Sequence, residues 1–332
     1  MTCSDKMPLP LLTICMPTYN RIRNLEKTLA VILPWCIGKD QVELAISDNG
    51  SSDGTGEYLM QVQKVYPQIR LRLNETNRGF SRNVLDCMSM ATGEYIHFTA
   101  DDDLPDADAF DHLVALLATG KPDAVISNYH IRYCRTDTFF QALPKESASF
   151  DRIEALLAYV GHHVTFMSTI TFRRTVPDPG SFFKFEGLAF MHLAVLLDAM
   201  AGKRGTFLYD SIPLVVATDE NAPNYCLVDL FSNLLIRCFE IRQDKLDIKE
   251  LLPFFRSVAL FLGGSGVSTR NWYGRDKVLR RLCGWRLFFD WRFVVNVLAL
   301  QPMMRATPAW LRFGLARMVH RVGLHPIRSI SP

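Results

Sequence analysis

Between Leu11 and Asp103 the chain alternates four short strand-like runs with three segments of helical periodicity. The runs are "LLTICMP", "VELAIS", "IRLRL" and "GEYIHFTA", and the helical segments are "RIRNLEKTLAVIL", "GTGEYLMQVQKVY" and "GFSRNVLDCMSMA". Strands separated by helices at this interval predict a mainly parallel, doubly wound sheet, because a parallel return needs a crossover helix. Such sheets bind ligands beyond the carboxyl ends of their strands. "PTYNR", "SDNGSSDGT" and "DDD" all fall at such ends, so three polar segments are expected to converge on one crevice.

Past about residue 120 the order loosens. "AVISNYHIRY" and "STITFRR" read as strands, "DRIEALLAYVG" and "GLAFMHLAVLLDAMAG" as helices, and "GTFLYDSIPLVVAT" as a pair of short strands. Beyond residue 225 only helical patterns remain, including "RDKVLRRLCGWRLFFDWRFVVNVLAL" and, after Pro302 and Pro308, "AWLRFGLARMVHRVG". The expected organisation is an α/β domain over residues 8–225 and a helical region over residues 226–332.

The net charge of +3 conceals an asymmetry. From Arg275 onward eleven basic residues face only Asp276 and Asp290, an excess of nine, which leaves the preceding residues at −6. An acidic body with a basic end points to an anionic surface as partner. Trp285, Trp291 and Trp310 among those arginines suit helices lying in a membrane interface. A packed helical subdomain with its arginines in water is the other reading. No nucleic-acid-binding motif accompanies the charge. The eight cysteines stand singly, without metal-finger spacing, and Cys15 and Cys87 fall in apolar segments as buried thiols. With no signal-peptide pattern and no run of spanning length, a cytoplasmic protein, peripheral on the inner face of the membrane, is expected.

Asp101, Asp102 and Asp103 repel one another, with no basic neighbour in sequence. Oxygen-only ligands at a strand end suit Mg²⁺ or Mn²⁺, which takes one or two carboxylates and fills its shell with water and substrate phosphates. An acidic turn capping the following helix is the alternative, although Asp106 and Asp108 are sufficient for that.

Taken in order, "TICMPTYNR", "AISDNGSSDGT", "NETNRGFSRN" and "GEYIHFTADDD" resemble the family 2 glycosyltransferases of GT-A fold over roughly residues 10–130. The resemblance implies a Rossmann-like, doubly wound mixed sheet and a nucleotide-sugar donor, most simply UDP-linked. It places Pro17, Thr18 and Tyr19 along the base and ribose, and Asp48 as acceptor for a base N–H. Asn49 stands where the family pattern has a second Asp. Asn77, Gly79 and Arg82, with Arg78, match the family's Asn-x-Gly segment, and Arg82 is expected on the diphosphate. The aspartates resemble its metal motif in either of two registers, Asp101 with Asp103 or Asp101 with Asp102.

An inverting transferase needs a base for the acceptor hydroxyl. Counting back from Gly202 places the family's base near Met191 and His192, a departure from the usual Glu-Asp. His192 is one candidate, Glu186 another, and Asp198 a third. The implied activity is sugar transfer to a glycan or lipid-linked acceptor in bacterial surface polysaccharide synthesis, as in abequosyltransferase-like O-antigen enzymes. A nucleotidyltransferase would also use strand-end carboxylates and a metal, and a degenerate transferase would serve as a scaffold.

Overall fold

The computed structural model describes residues 9–133, 137–143, 146–174 and 184–218, with scattered positions between 238 and 258. The helices expected beyond residue 258, and with them the tryptophans and arginines of the basic end, lie outside the described residues. The chain divides into two compact units, Met1–Leu156 with His163–Asn224, and Leu157–His162 with Tyr225–Pro332. In the second, Phe239, Phe254 and Phe255 form a buried aromatic group with ring centroids 5.0 to 5.3 Å apart.

The first unit is built on one ten-stranded sheet. Its first half follows the expected alternation: β1 (Leu12–Thr18), α1 (Ile22–Cys36), β2 (Val42–Asp48), α2 (Thr55–Val65), β3 (Arg70–Leu73), α3 (Phe80–Met90) and β4 (Tyr95–Phe98). Then come β5 (Leu104–Pro105), α4 (Ala107–Gly120), β6 (Ala124–Tyr133), β7 (Thr138–Gln141), β8 (Ala148–Phe150) and α5 (Ile153–Val160). Two short 3₁₀ turns lead to β9 (Ile170–Arg173), α6 (Met191–Met200) and β10 (Phe207–Thr218). The order across the sheet is β3-β2-β1-β4-β9-β6-β10-β5, with β7 on β6 and β8 on β10.

Strand β1 pairs in parallel with both β2 and β4, and β2 with β3. It is buried along its whole length, as a central strand covered on both faces must be. Leu12, Ile14 and Met16 join Leu25, Leu29 and Ile32 of α1 and Phe110, Leu113 and Leu117 of α4 in one core. Cys15 and Cys87 are buried as expected, and burial pushes both thiols up.

The mixed character comes from β9, which runs antiparallel to β4 on one side and β6 on the other. Because β6 and β10 are parallel, the carboxyl ends of β1, β2, β4, β6 and β10 share one edge with the start of β9. "GTFLYDSIPLVVAT" is one long strand rather than two, since a register shift on either side of Pro213 lets it bend without breaking. Strands β5, β7 and β8 carry no periodic signal of their own: β5 is two residues long and exists only through Val215 and Val216 of β10.

Candidate active site

Four segments meet at the common edge, and Thr18 at the end of β1 joins them. Its carbonyl accepts from the backbone N–H of Asn49 at 3.0 Å and from Asn83 Nδ2 of α3 at 3.1 Å. Its hydroxyl donates to Asp101 Oδ2 at 2.6 Å. Thr18 is therefore buried and committed to holding the crevice, while Tyr19 beside it is 40% exposed. Pro17 is buried opposite Ser47 of β2, and Thr18 stands opposite Asp48.

Asp48 closes β2 and is almost fully buried. Ser51 donates to it twice, through its hydroxyl to Oδ1 and its N–H to Oδ2, so the turn arms the carboxylate from below. Asn20, at φ 50°, accepts from Ser52 N–H at 2.8 Å and ties the "PTYNR" loop to the same turn. Asp53 accepts from Ile22 N–H and from both donors of Thr55, fixing the starts of α1 and α2 together.

The "NETNRGFSRN" segment lies against this turn. Asn77 accepts from Asn49 Nδ2 at 2.9 Å and from Gly79 N–H at 2.8 Å. Gly79, with φ 86°, occupies a conformation suited to glycine at the start of α3. Arg82 lies 3.4 Å from the carboxylate of Asp86, which Arg72 and Arg78 approach at 3.4 and 3.1 Å. Three guanidiniums around one buried carboxylate leave a positive excess where an anionic donor is expected.

The structure gives the three aspartates protein partners that the sequence concealed. Arg21 pairs with Asp102 and lies 3.9 Å from Asp101. Ser168, at the approach to β9, donates to Asp103 Oδ2 at 2.5 Å and accepts from Ala100 N–H at 2.8 Å. Thr28 of α1 donates to the carbonyls of Asp101 and Asp103. Burial first, then the neighbouring carboxylates, drive Asp101 up to about 7 against the Thr18 bond, and Asp103 up to about 8 against the Ser168 bond. Helix capping falls to Asp106, which accepts from Ala109 N–H at 3.0 Å, so the triplet is not needed for that.

Among the described residues no three His, Cys, Asp or Glu side chains converge as a metal-ligand group. The chemistry of the donor set nonetheless suits a hard cation. The carboxylates are adjacent and oxygen-only, and two of them resist ionisation where they stand. One or two could serve, with phosphate oxygens completing the shell.

His192 faces the interior of α6's packing. Its Nε2 donates to the Thr165 carbonyl at 3.0 Å, and its ring lies between Phe98 and Phe190. Burial pulls it down to about 4, so it is neutral at pH 7. Glu186 instead is exposed, in a turn whose Gly187 N–H donates to Ser81 of α3 at 2.8 Å. That bond holds the turn next to Glu186 against the first turn of α3, whereas Asp198 is paired with Lys184 at 2.8 Å.

Arg21, Ser51, Asn83, Asp86 and Ser168 were not identified from sequence. Arg21, Ser51 and Asn83 sit within the quoted segments and were recoverable there. Ser168 lies 65 residues from Asp103 and carries no local signal.

Comparison with known proteins agrees with this architecture. Residues 13–177 match the family described as Glycosyl transferase family 2. Abequosyltransferase RfbV of Salmonella typhimurium is 28% identical over 225 residues, 64% of this chain and 67% of that protein. A Campylobacter jejuni GalNAc(5)-diNAcBac-PP-undecaprenol beta-1,3-glucosyltransferase is 34% identical over 96 residues, covering 29% of this chain and 30% of its own length. Among solved structures, S. aureus TarS 1-349 in complex with UDP-GlcNAc superposes with a TM-score of 0.59 at 16% identity, over 88% of this chain and 83% of that one. The fold is that of the GT-A glycosyltransferases. Through residues 13–177 the chain belongs to glycosyl transferase family 2.

Proposed function

We propose that this glycosyltransferase moves a sugar, with inversion, from a nucleoside diphosphate donor to a glycan or lipid-linked acceptor in surface polysaccharide synthesis. The observation that carries the reading is the junction at Thr18, where bonds from Asn49, Asn83 and to Asp101 gather four donor-type segments at one edge. A nucleotidyltransferase would require a glycine-rich basic loop after β1, and "PTYNR" is not one.

Asp48 suits recognition of a base N–H because a carboxylate only accepts. Arg78 and Arg82, gathered around Asp86, would meet the phosphates. A UDP donor is supported by the UDP-GlcNAc complex of the TarS neighbour. The similarity to an abequosyltransferase supports a CDP sugar as the second reading. Asp101 and Asp102 are the residues that would hold Mn²⁺ or Mg²⁺, with Asp103 behind them. Such a cation, when bound, neutralises charge on the departing diphosphate.

For the acceptor proton, Glu186 is the better-placed base, being exposed and tied to α3, whereas His192 is enclosed. No helix among the described residues is long and apolar enough to cross a membrane. The basic excess from Arg275 supports attachment to an anionic bilayer on the cytoplasmic side. Calorimetry with UDP, CDP and GDP, with and without Mn²⁺, tests the donor reading. Binding of UDP or CDP in the low-millimolar range or tighter is expected, and absence of binding by all three would overturn it.

A further inference from the structure

The strongest feature that the family resemblance leaves unexplained is Asn49, which stands where a carboxylate is usual. Its surroundings give the amide a definite direction. The backbone N–H of Arg78 donates to Asn49 Oδ1 at 2.9 Å, and a backbone N–H can only donate. That bond fixes which end of the amide is oxygen, so Nδ2 must face Asn77, and it does at 2.9 Å. Asn77 is oriented in the same way by a second fixed donor, because Gly79 N–H requires Asn77 Oδ1 at 2.8 Å. The two side chains thus form a one-way chain, with Asn49 donating and Asn77 accepting, and both ends are set by backbone groups that cannot reverse.

A second, steric observation shows the same two loops pressed together. Gly50 adopts φ 75°, and a Cβ there would stand 2.7 Å from the backbone carbonyl carbon of Thr76. The backbone of Asn74 also donates to the Asp48 carbonyl at 2.9 Å. The loop after β2 and the turn after β3 therefore dock as one piece. Arg78 is reached from both sides of it: its N–H is held by Asn49, and its guanidinium by Asn74 at 3.3 Å and Asp86 at 3.1 Å.

We infer that Asn49 is a positioning residue for the nucleotide donor, acting through the Asn77–Gly79 turn to fix Arg78 and the start of α3. This rests on the donor reading above, but the clamp itself is testable without any donor. An aspartate at position 49 could still accept from Arg78 but could not donate to Asn77. Asn77 would then have to turn its own amide around, which strips Gly79 N–H of its acceptor. In this chain Asn49 therefore supplies the turn with a donor that an aspartate lacks, and it is a fitted part rather than a sign of decay.

The test compares Asn49→Asp with Asn77→Asp, both nearly isosteric. Asn77 serves its two bonds only as an acceptor, so Asn77→Asp keeps both, whereas Asn49→Asp loses one. Hydrogen exchange on the nucleotide-free protein is read at Arg78 and Gly79. Asn49→Asp should lose protection at Gly79 on the order of tenfold, and Asn77→Asp should retain it. UDP and CDP affinity should fall roughly tenfold in Asn49→Asp, appearing in KM more than in kcat. Unchanged exchange at Gly79 in Asn49→Asp, or equal loss in both variants, overturns the clamp. Lost protection with unchanged nucleotide affinity overturns its role in donor binding. If the unaltered protein binds neither nucleotide, the donor reading fails while the exchange result still judges the clamp.

Discussion

Replacing Glu43 with glutamine should destabilise the protein without touching the site. Glu43 opens β2 opposite Thr13, nearly buried, and accepts from Thr13 Oγ1 at 2.6 Å, Thr92 N–H at 2.5 Å and Thr92 Oγ1 at 2.8 Å. Arg70 adds a fourth bond to the same carboxylate. Burial alone would push this carboxyl up, but the four donors prevail and hold it below its ordinary 4.5. In glutamine one oxygen becomes an NH₂ facing Thr92 Oγ1 and Arg70. The threonine hydroxyl can rotate to accept, and Arg70, which is 45% exposed, can turn to water, so its share is small. Loss of the charge-assisted bonding then leaves a cost of about 2 kcal/mol, or roughly 4–8 °C in Tm.

The sign with pH follows from the depressed carboxyl. Its contribution is complete above the unfolded value near 4.5 and is lost as pH falls through the lower folded value. Urea denaturation followed by tryptophan fluorescence should therefore show a gap between the two proteins at pH 7 that narrows below about pH 4.5. Glu43 is five residues before Asp48 on β2, roughly 17 Å away, so UDP affinity should not change. A gap that is constant with pH would refute the charge argument. Loss of nucleotide affinity alongside stability would refute the separation of the two ends of the sheet.

Other expectations concern the crevice and the basic end. Glu186→Gln should lower kcat by about 10²–10⁴-fold with donor affinity retained, and His192→Gln should lower stability more than it lowers kcat; the reverse pattern would return the base role to His192. Asp101→Asn with Asp103→Asn should weaken UDP binding by at least roughly tenfold in Mn²⁺ and far less in EDTA, measured by calorimetry, because the carboxylates matter to the cation-linked part. The full chain should float with anionic vesicles at low salt and detach as salt is raised, each basic residue at the surface contributing about 1 kcal/mol. Equal flotation with neutral vesicles would exclude an electrostatic attachment.

The donor half of this fold is legible in sequence because local signals and tertiary structure agree there. "LLTICMP" and "VELAIS" are mainly apolar and become strands covered on both faces, and the turn-rich "DNGSSDGT" becomes the loop that holds Asp48. The second half is less legible because its elements are defined by partners. Strand β5 depends on Val215 and Val216, and β9 shows as a strand in "STITFRR" without revealing its reversed direction. His192 illustrates the limit for side chains. Helix α6 is buried on nearly every side, so its residues show no polar face from which an exposed base could be told from an enclosed one. The partners of the aspartates were invisible for a related reason: Arg21 and Ser168 reach them only through the sheet.

The pairing of β5 with β10 also has a consequence for the order in which the protein matures. Asp106 N–H donates to the Leu214 carbonyl, and Leu104 and Pro105 find their strand partners only at Val216 and Val215. In a chain emerging from the ribosome N-terminus first, Thr18, Arg21 and Thr28 are present to hold the aspartates, but Leu104 to Asp106 just after them are synthesised long before their β10 partners exist. Ser168 arrives in between and can engage Asp103, but the loop is closed only when β10 is laid down beside β6. Nascent chains arrested before Leu214 should therefore hold the "PTYNR" and "SDNGSSDGT" loops in place while Leu104 to Asp106 are still unfastened, and a protease probing such chains should cut there first.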